Sequence, residues 1–249
     1  MSHPKKPLGI KNYGHIPHLP GSRMGPGDHS CHEGQARIAT KKTRDRHDRV
    51  IVQEKLDGSN VGVAMIDGTL FSLTRAGYLA NTSRFVQHHY FADWVYSNQA
   101  RFLSVLQNNE RLCGEWLMQA HGTRYTLTHE PFVAFDLMLE SKRLPYDEFS
   151  ERLKAGEFVT PKVLHQGQAL PIEEALNLLG TYGFHGAVDP VEGAVWRVER
   201  NRLINRGKSS ERKWVVDFIV KYVRPDKVDG HYLPEVSGKS SVWNWQPGR

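Results

Sequence analysis

The sequence predicts an α+β fold in which antiparallel strands carry inserted helices. Three observations lead to this prediction. Short strand-like runs between residues 50 and 75 are separated by Asp-Gly turn signals. Longer apolar-periodic segments, typical of helices, stand between later strands. The βαβ alternation of a parallel sheet is missing, and so are the GxGxxG and GxxxxGK[ST] motifs, which disfavours dinucleotide-binding and P-loop folds.

The first half of the chain predicts a loop-rich segment, three strands and a helix. Residues 1–48 are rich in Gly, Pro, His and basic residues, which favours successive turns. The strands that follow are VIVQEK (50–55), VGVAMI (61–66) and TLFSLTR (69–75). Thr82 or Ser83 is a suitable N-cap for a helix that continues to about Leu106.

The second half continues the same pattern of strands and helices. Four further strands are predicted at RLCGEWLM (111–118), FVAFDLML (132–139), GAVWRV (193–198) and DFIVKYV (217–223). Helical segments are predicted near 147–154 and at 172–179. We therefore expect one domain over 1–225, including the lead-in at 1–48, and a short tail over 226–249 with little core of its own.

Charge, hydrophobicity and cysteine content exclude several classes of protein. The net charge of +6 over 249 residues is compatible with a polyanionic partner without specifying one. No segment has the hydrophobicity of a membrane span or of a signal peptide, so we expect no membrane association. The two cysteines, Cys31 and Cys113, exclude a disulfide framework and predict reduced thiols in the cytoplasm. The thirteen histidines do not have the spacing of a zinc site.

Ionisable residues interrupt strand after strand where core residues are normally apolar. Strand alternation alone explains any one of them, because every second side chain can face solvent. A shared cleft explains the repeated pattern better, since ionisable groups gather at functional sites. These residues are Lys55, Arg75, Glu115, Asp136, Glu192 and Lys221.

The order of these segments resembles the motifs of the covalent nucleotidyltransferases, which include DNA ligases, RNA ligases and mRNA capping enzymes. KLDG (55–58) matches the KxDG signature, and the later blocks follow in the family's order: GEW (114–116), FVAFD (132–136), VEGAVWR (191–197) and DFIVKYVR (217–224). The resemblance covers about residues 50–225. The EKxxGxN pattern and Arg75, twenty residues beyond Lys55, are most similar to phage-type ATP-dependent RNA ligases. The implied fold is an adenylyltransferase domain with an ATP-grasp-like catalytic core and no OB-fold.

The resemblance implies that Lys55 is the nucleophile. It would attack the α-phosphate of ATP and form lysyl-AMP, with Mg²⁺ or Mn²⁺ as the metal. A neutral amine is required, and burial together with nearby cations lowers the pKa of a lysine. Arg75, Lys221 and the metal are expected to supply that positive charge. AMP would then pass to an RNA 5′-phosphate, and a 3′-OH would displace it.

The remaining roles are also carried over from the family. The backbone of Glu54 and Lys55 would lie near the adenine, Phe135 would stack on the adenine, and Glu115 would accept a hydrogen bond from the ribose. Glu192 would bind the metal, and Lys221 would contact the α-phosphate. Asp57 and Asn60 would order the loop or support the later steps. From the residues alone, a core role for Phe135 and simple turn chemistry for Asp57 and Asn60 stay open.

The last motif departs from the family pattern. It is commonly K-x-K, but Val223 stands at the second lysine position here. We expect Arg224, Lys227 or the metal to compensate.

Two further stretches leave alternatives open. Lys208 and Lys213 lie in a basic run that suits either a solvated loop or an RNA contact. His121, Arg124 and Tyr125 would border the cleft or belong to a surface loop.

The expected function is therefore an ATP-dependent RNA ligase acting on RNA with 5′-phosphate and 3′-OH ends in the cytoplasm. Only 25 residues follow Arg224, too few for an OB-fold, so an RNA-binding or end-processing partner protein is a further expectation. Two alternatives stay open: a non-catalytic or partner-dependent nucleic-acid-binding module, and an adenylyltransferase with another acceptor.

Overall fold

The computed structural model describes residues 6–206 and 209–246, and these form two antiparallel sheets flanked by helices, which confirms the predicted α+β class. The strands are β1 (Asp48–Lys55), β2 (Ser59–Ile66), β3 (Thr69–Thr74), β4 (Glu110–Trp116), β5 (Phe132–Leu139), β6 (Lys142–Arg143), β7 (Val163–Gly167), β8 (Gly193–Arg206) and β9 (Ser209–Val223). The α-helices are α1 (Glu33–Thr40), α2 (Val86–Ser97), α3 (Gln99–Val105), α4 (Tyr146–Leu153), α5 (Ile172–Leu179) and α6 (Pro234–Ser237).

The first sheet has the strand order β7-β1-β8-β9. One of its faces is apolar and packs against α1 and α5, with Trp196 fully buried at its centre. Because strand residues alternate between faces, the other face carries Lys55, Val195 and Lys221. The register places Lys55 opposite Gly193 and places Gly193 opposite Val223, so the ends of three strands meet at one edge.

The second sheet has the order β3-β2-β4-β5-β6. One face packs against α2, α3 and α4 through an aromatic cluster that includes Phe91, Phe102, Trp116 and Phe132. These rings are fully buried, and burial of large apolar surface is the main favourable term in folding. The opposite face is turned towards the first sheet and contributes side chains to a cleft between them.

The predicted helix from Thr82 or Ser83 to Leu106 is wrong as one continuous element. A 3-10 turn (Ala80–Thr82) precedes α2, and the chain leaves helical geometry at Asn98, where φ is −114° and ψ is 19°. The Asn98 side chain donates to the carbonyl of Trp94 at 2.8 Å, and this local bond competes with continuation of the helix.

Helix α1 and strand β7 escaped the sequence prediction, as did the shorter β6 and α6. Helix α1 lies in the stretch expected to be loop, and β7 is a five-residue strand at the edge of its sheet. Both are short, so their own periodicity is weak, and contacts with β8 and β1 stabilise them.

The C-terminal residues pack against the second sheet. Trp243 and Trp245 contact its aromatic core, and Asn244 donates from its side chain to the carbonyl of Leu117 at 2.8 Å. The predicted domain boundary near 225 stays a prediction. Across residues 6–206 and 209–246 we found no helix with the length and apolarity needed to cross a membrane.

Candidate active site

A cleft of about 630 Å³ lies between the two sheets. The side chains predicted for the site all line it: Glu54, Lys55, Asp57, Asn60, Arg75, Glu115, Phe135, Glu192 and Lys221. They come from seven different strands or their flanking turns. The structure thus brings the predicted residues together, while their individual roles stay predictions.

Lys55 ends β1 and directs its ammonium group at a carboxylate. Its Nζ lies 2.5 Å from Glu192 Oε2, and the two side chains are 21% and 10% exposed. Gly193, which follows Glu192, pairs with Lys55 in the ladder, so strand register fixes this contact. The pair is a charge-assisted hydrogen bond in a site that water reaches only in part.

Carboxylates, rather than cations, dominate the surroundings of Lys55. Burial alone lowers the pKa of Lys55, but Glu192, Glu115 and Asp57 outweigh it, and the pKa is raised from 10.5. This is opposite to the expectation from sequence. The reason is geometric: Arg75 is exposed, and Lys221 lies further from the amine than the nearest carboxylate. Lys55 is therefore held as an ammonium ion in this structure.

The turn after Lys55 is held by the second sheet and by a neighbouring loop. Gly58 N donates to Glu115 Oε1 at 3.0 Å, and Asp57 N donates to Tyr125 Oη at 3.1 Å. A Cβ at Gly58 would lie 2.5 Å from the carbonyl oxygen of Trp116, so only glycine fits this close approach. The Asp57 carboxylate accepts from Gly122 N and from the Thr123 hydroxyl, at 3.0 and 3.1 Å. The KLDG segment (55–58) is thus packed between the two sheets and held by hydrogen bonds.

Glu115 also has an unusual environment. Burial raises its pKa to about 7, with Lys55 opposing that shift. One of its oxygens accepts from Gly58, so its predicted role towards the ribose would use the rest of the carboxylate.

A β-bulge places Phe135 at the cleft. The register between β4 and β5 shifts after Cys113, so Asp136 pairs with Cys113 while Ala134 pairs with Gly114. Phe135 is the extra residue, and bulges re-aim side chains next to functional sites. Its ring is half-buried and makes an edge contact with Tyr13 at 5.1 Å between centroids. A fully buried core position is thus ruled out, and an open ring face suits a planar base.

Tyr13 was missed because it belongs to the lead-in that the sequence predicted to be loop. It is 4% exposed, lines the cleft, and donates from Oη to Asp136 Oδ2 at 2.5 Å. Arg143 and Arg197 bind the same carboxylate, and these cations hold the pKa of Asp136 below 3.8 despite its burial. Asp136 is therefore an anchor for Tyr13, and Tyr13 limits the positions of the Phe135 ring.

The lead-in also reaches the part of the cleft that contains Lys221. The Asp28 carboxylate lies 3.6 Å from Lys221 Nζ and 3.1 Å from His18 Nε2. Burial and the neighbouring Lys55 lower the pKa of Lys221. Local sequence carried no signal for these contacts because more than 190 residues separate Asp28 from Lys221 in the chain.

The two residues expected to compensate for Val223 lie outside the cleft, and compensation by the metal stays a prediction. Arg224 and Lys227 are not among the residues that line the cleft. Arg224 donates to the carbonyl of Gly180. Lys227 is 8% exposed and donates to the carbonyls of Gly122 and Pro190 and to Thr123, which makes it a structural cation.

The structure places the residues of the two stretches with open alternatives in different environments. His121 lines the cleft, whereas Tyr125 is buried behind Asp57 and Arg124 pairs with Asp189 at 2.7 Å on the surface. Lys213 belongs to β9 and pairs with Glu211 at 3.0 Å. Lys208 lies outside the described residues.

Glu54 lies on the reverse side of β1 from Lys55 and is 2% exposed. Its Oε2 accepts from Phe184 N at 3.0 Å, while its Oε1 has no hydrogen-bond partner among the described residues. Burial raises its pKa to about 7 from 4.5. The protonated carboxyl group is thus favoured in the folded protein.

This shift predicts a stability that falls as pH rises. Below pH 4.5 the carboxyl group is protonated in both states, and between 4.5 and about 7 only the unfolded chain ionises. Because only the unfolded chain ionises over this range, the free energy of unfolding falls by on the order of 3 kcal/mol. Glu54→Gln should remove this dependence in urea unfolding at pH 5 and pH 8. The exposed Glu173→Gln should keep it, and equal slopes for both variants would contradict the prediction.

Comparison with known proteins identifies the family of this chain. The family model described as RNA ligase matches residues 48–223. The chain belongs to the RNA ligase family. A search of curated proteins found no match.

Solved RNA ligase structures share the fold. A Naegleria gruberi RNA ligase mutant with ATP and Mn has a TM-score of 0.51 at 15% identity, covering 89% of this chain and 62% of the other. A second mutant of that ligase, with AMP and Mn, has a TM-score of 0.50 at 16% identity, covering 86% and 60%. An archaeal ATP-dependent RNA ligase has a TM-score of 0.39 at 22% identity, covering 71% and 42%. The chain thus spans 42–62% of the length of these ligases.

The cleft of this RNA ligase family member fits a nucleotide. Asn60 Oδ1 is buried without a hydrogen-bond partner in the described part of the chain, which leaves an acceptor for a ligand hydroxyl or amine. Phe135 offers a ring face, and Lys221 offers a cation for phosphate. Polar groups converging on a partly apolar cleft are typical of small-molecule sites.

The same cleft fits a divalent cation held partly by its ligand. Glu192, Glu115 and Asp57 supply the carboxylate oxygens that Mg²⁺ and Mn²⁺ prefer. Among the described residues, no group of three or more His, Cys, Asp or Glu is arranged to hold a metal alone. Mg²⁺ is usually bound by one or two carboxylates together with phosphates and water. Glu192 is thus a suitable single protein ligand.

Proposed function

We propose that this protein is an ATP-dependent RNA ligase that forms lysyl-AMP on Lys55, adenylates an RNA 5′-phosphate and joins it to a 3′-OH. The observation that carries the proposal is the position of Lys55 Nζ, 2.5 Å from Glu192 in a cleft that the other motif residues also line. Membership of the RNA ligase family supports the reaction class and RNA as the substrate.

The first step needs a neutral amine. Glu192 Oε2 is placed to accept the ammonium proton of Lys55. The free electron pair of Nζ then attacks the α-phosphorus of ATP, the bond to the β-phosphate oxygen breaks, and pyrophosphate leaves with that electron pair. Lys221 and Arg75 stabilise the phosphate charge from the wall of the cleft. A divalent cation bound by Glu192 would add positive charge beside Lys55, which favours the neutral amine.

The next two steps return Lys55 to its starting state. An oxygen of the RNA 5′-phosphate attacks the phosphorus of lysyl-AMP, and the P–N bond breaks as Nζ leaves and takes up a proton. The RNA 3′-OH then attacks the adenylated phosphate, loses its proton, and AMP departs. Asp57 and Asn60 lie beside this position and would orient the loop and the nucleotide during the exchange.

Intact-protein mass spectrometry tests the proposal directly. Incubation with ATP and Mg²⁺, or with Mn²⁺, should add the mass of one AMP at Lys55. A chase with RNA that has 5′-phosphate and 3′-OH ends should remove it and yield joined product. An adduct that RNA never removes would favour another acceptor or a partner-dependent enzyme. No adduct on folded, initially unmodified protein would favour a nucleic-acid-binding module.

Two further expectations belong to this proposal. We propose that sealing is aided by an RNA-binding or end-processing partner protein. We also propose that the reaction takes place in the cytoplasm, in accord with the two unpaired cysteines.

A further inference from the structure

The positive charge of the protein is concentrated in two stretches of sequence. Residues 37–49 and 200–217 together contain twelve Lys or Arg and four Asp or Glu, a balance of +8. The whole chain has a balance of +6, so everything outside these stretches has a balance of −2. Composition alone therefore points to one local basic surface rather than to a generally basic protein.

The fold brings the two stretches together. Asn201 N donates to the carbonyl of His47 at 2.7 Å. Arg200 pairs with Asp45 at 2.8 Å, and Arg44 pairs with Asp217 at 2.6 Å. The acidic residues of the region thus serve to fix its arginines, and they join the loop after α1 to the β8–β9 hairpin.

Several cations of this surface remain available. Lys41, Lys42 and Arg46 are exposed, and their side chains make no hydrogen bond or ion pair to any described residue. Arg212 is exposed, and its hydrogen bonds within the described residues go to neutral groups, the carbonyl of Asn201 and the ring of His47. Cations that the protein does not pair are free to neutralise the charge of a partner.

The hairpin extends beyond the sheet that carries the cleft. Strand β1 pairs with β8 only as far as Arg200, and from Asn201 onwards β8 pairs with β9 alone. The described part of this ribbon has polar residues on both faces. A two-stranded ribbon has little stability of its own and no core to contribute, so its length suits contact with a partner.

We infer that the basic surface formed by residues 37–49 and the described part of this ribbon (201–204 and 210–216) is a second RNA-binding site, which holds the RNA backbone away from the ends being joined. The inference rests on the proposed function for the identity of the partner. Regularly spaced phosphates complement clustered Lys and Arg, and such contacts bind without reading sequence.

The position of the surface predicts a minimum length of RNA. Arg200 is seven residues along β8 from Gly193, which pairs with Lys55. At about 3.3 Å per residue this is roughly 23 Å. A stacked strand advances about 3.4 Å per nucleotide, so about seven nucleotides separate the reacting end from the basic surface. RNA with shorter arms should not reach it.

The test compares two triple variants of the full chain. Lys41→Ala/Lys42→Ala/Arg46→Ala removes three charges from the surface, and Lys142→Ala/Lys154→Ala/Lys239→Ala removes three exposed lysines elsewhere. Binding of a 20-nucleotide RNA and a 5-nucleotide RNA, both 5′-phosphorylated, is measured by fluorescence anisotropy at several salt concentrations. Lysyl-AMP formation is measured on the same preparations.

The surface variant should bind the long RNA about 10-fold more weakly at low salt, with a salt slope smaller by about two. It should bind the short RNA like the unchanged protein. Equal losses in the two triple variants, or an equal loss for short and long RNA, would overturn the inference. Lysyl-AMP formation should be unchanged in both variants. If the proposed chemistry is wrong, the unchanged protein will form no lysyl-AMP, and the anisotropy measurement will still test RNA binding by the basic surface.

Discussion

Replacing Lys55 with alanine is expected to abolish covalent adenylation and leave the fold intact. Lys55 Nζ is the amine that Glu192 contacts at 2.5 Å in the cleft. A nucleophile that forms the covalent intermediate has no substitute, so the adduct should fall by at least about 10³-fold. Intact-protein mass after incubation with ATP and Mg²⁺ measures the loss.

Retention of the fold follows from the chemistry of the neighbours. Without Lys55, Glu192 and Glu115 lose the cation that lowers their pKa values. They can take up protons, so the site does not need to keep uncompensated charges. Circular dichroism and a thermal melt of Lys55→Ala should therefore match those of the unchanged protein near neutral pH.

A matched control distinguishes the nucleophile from lysine in general. Lys162 is exposed and lies over the ring of Phe184, outside the cleft. Lys162→Ala should adenylate normally. An undiminished adduct in Lys55→Ala would place the nucleophile on another residue and remove the central argument for this cleft.

The sequence was most informative where function and strand pattern coincide. Strand-like runs with turn signals predicted the α+β class, and the ionisable residues that interrupt strand after strand predicted the shared cleft. KLDG and the later motif blocks lie at or near the ends of these strands. The predicted strands around Lys55, Glu115 and Lys221 are present because their alternating and apolar runs fit buried sheets.

The missed features depend on contacts between distant parts of the chain. Tyr13 reaches Asp136 across 123 residues, and Asp28 reaches Lys221, so no local pattern marks either residue. The bulge that turns Phe135 to the cleft depends on register with β4. Such effects arise only when both strands are in place.

The sequence predicted a lowered pKa for Lys55, and this direction was wrong for a similar reason. Motifs specify which charges enter a cleft but not their distances. Coulomb energy falls with distance, so the nearby carboxylates of Glu192 and Glu115 outweigh the cations at the wall. In the proposed reaction, Lys55 must therefore be released from these carboxylates before it attacks.

Replacing Glu192 with glutamine is expected to have two separable effects. Gln keeps the size of the side chain and removes its charge. Because Glu192 is the suitable protein ligand for the divalent cation, the variant should need more Mg²⁺ or Mn²⁺, and adenylation at low metal should fall about 100-fold. Adenylation rates across a metal titration measure this effect.

The second effect concerns pH. Glu192 raises the pKa of Lys55, and the neutral amine is the reactive form. Removing the negative charge lowers that pKa, so the rise of the adenylation rate with pH should begin at lower pH in Glu192→Gln. The exposed Glu174→Gln should shift neither the metal requirement nor the pH profile.

The two effects of Glu192→Gln change the adenylation rate in opposite directions, so they can be measured separately. Weaker metal binding slows adenylation, whereas a lower lysine pKa partly restores it at low pH when metal is saturating. A Glu192 that serves only the fold would change neither curve unless it lowered the melting temperature. An unchanged metal requirement would remove Glu192 from the metal site. A pH profile moved upwards would show that the carboxylate assists proton removal more than it holds the ammonium form, because loss of the proton acceptor would then dominate.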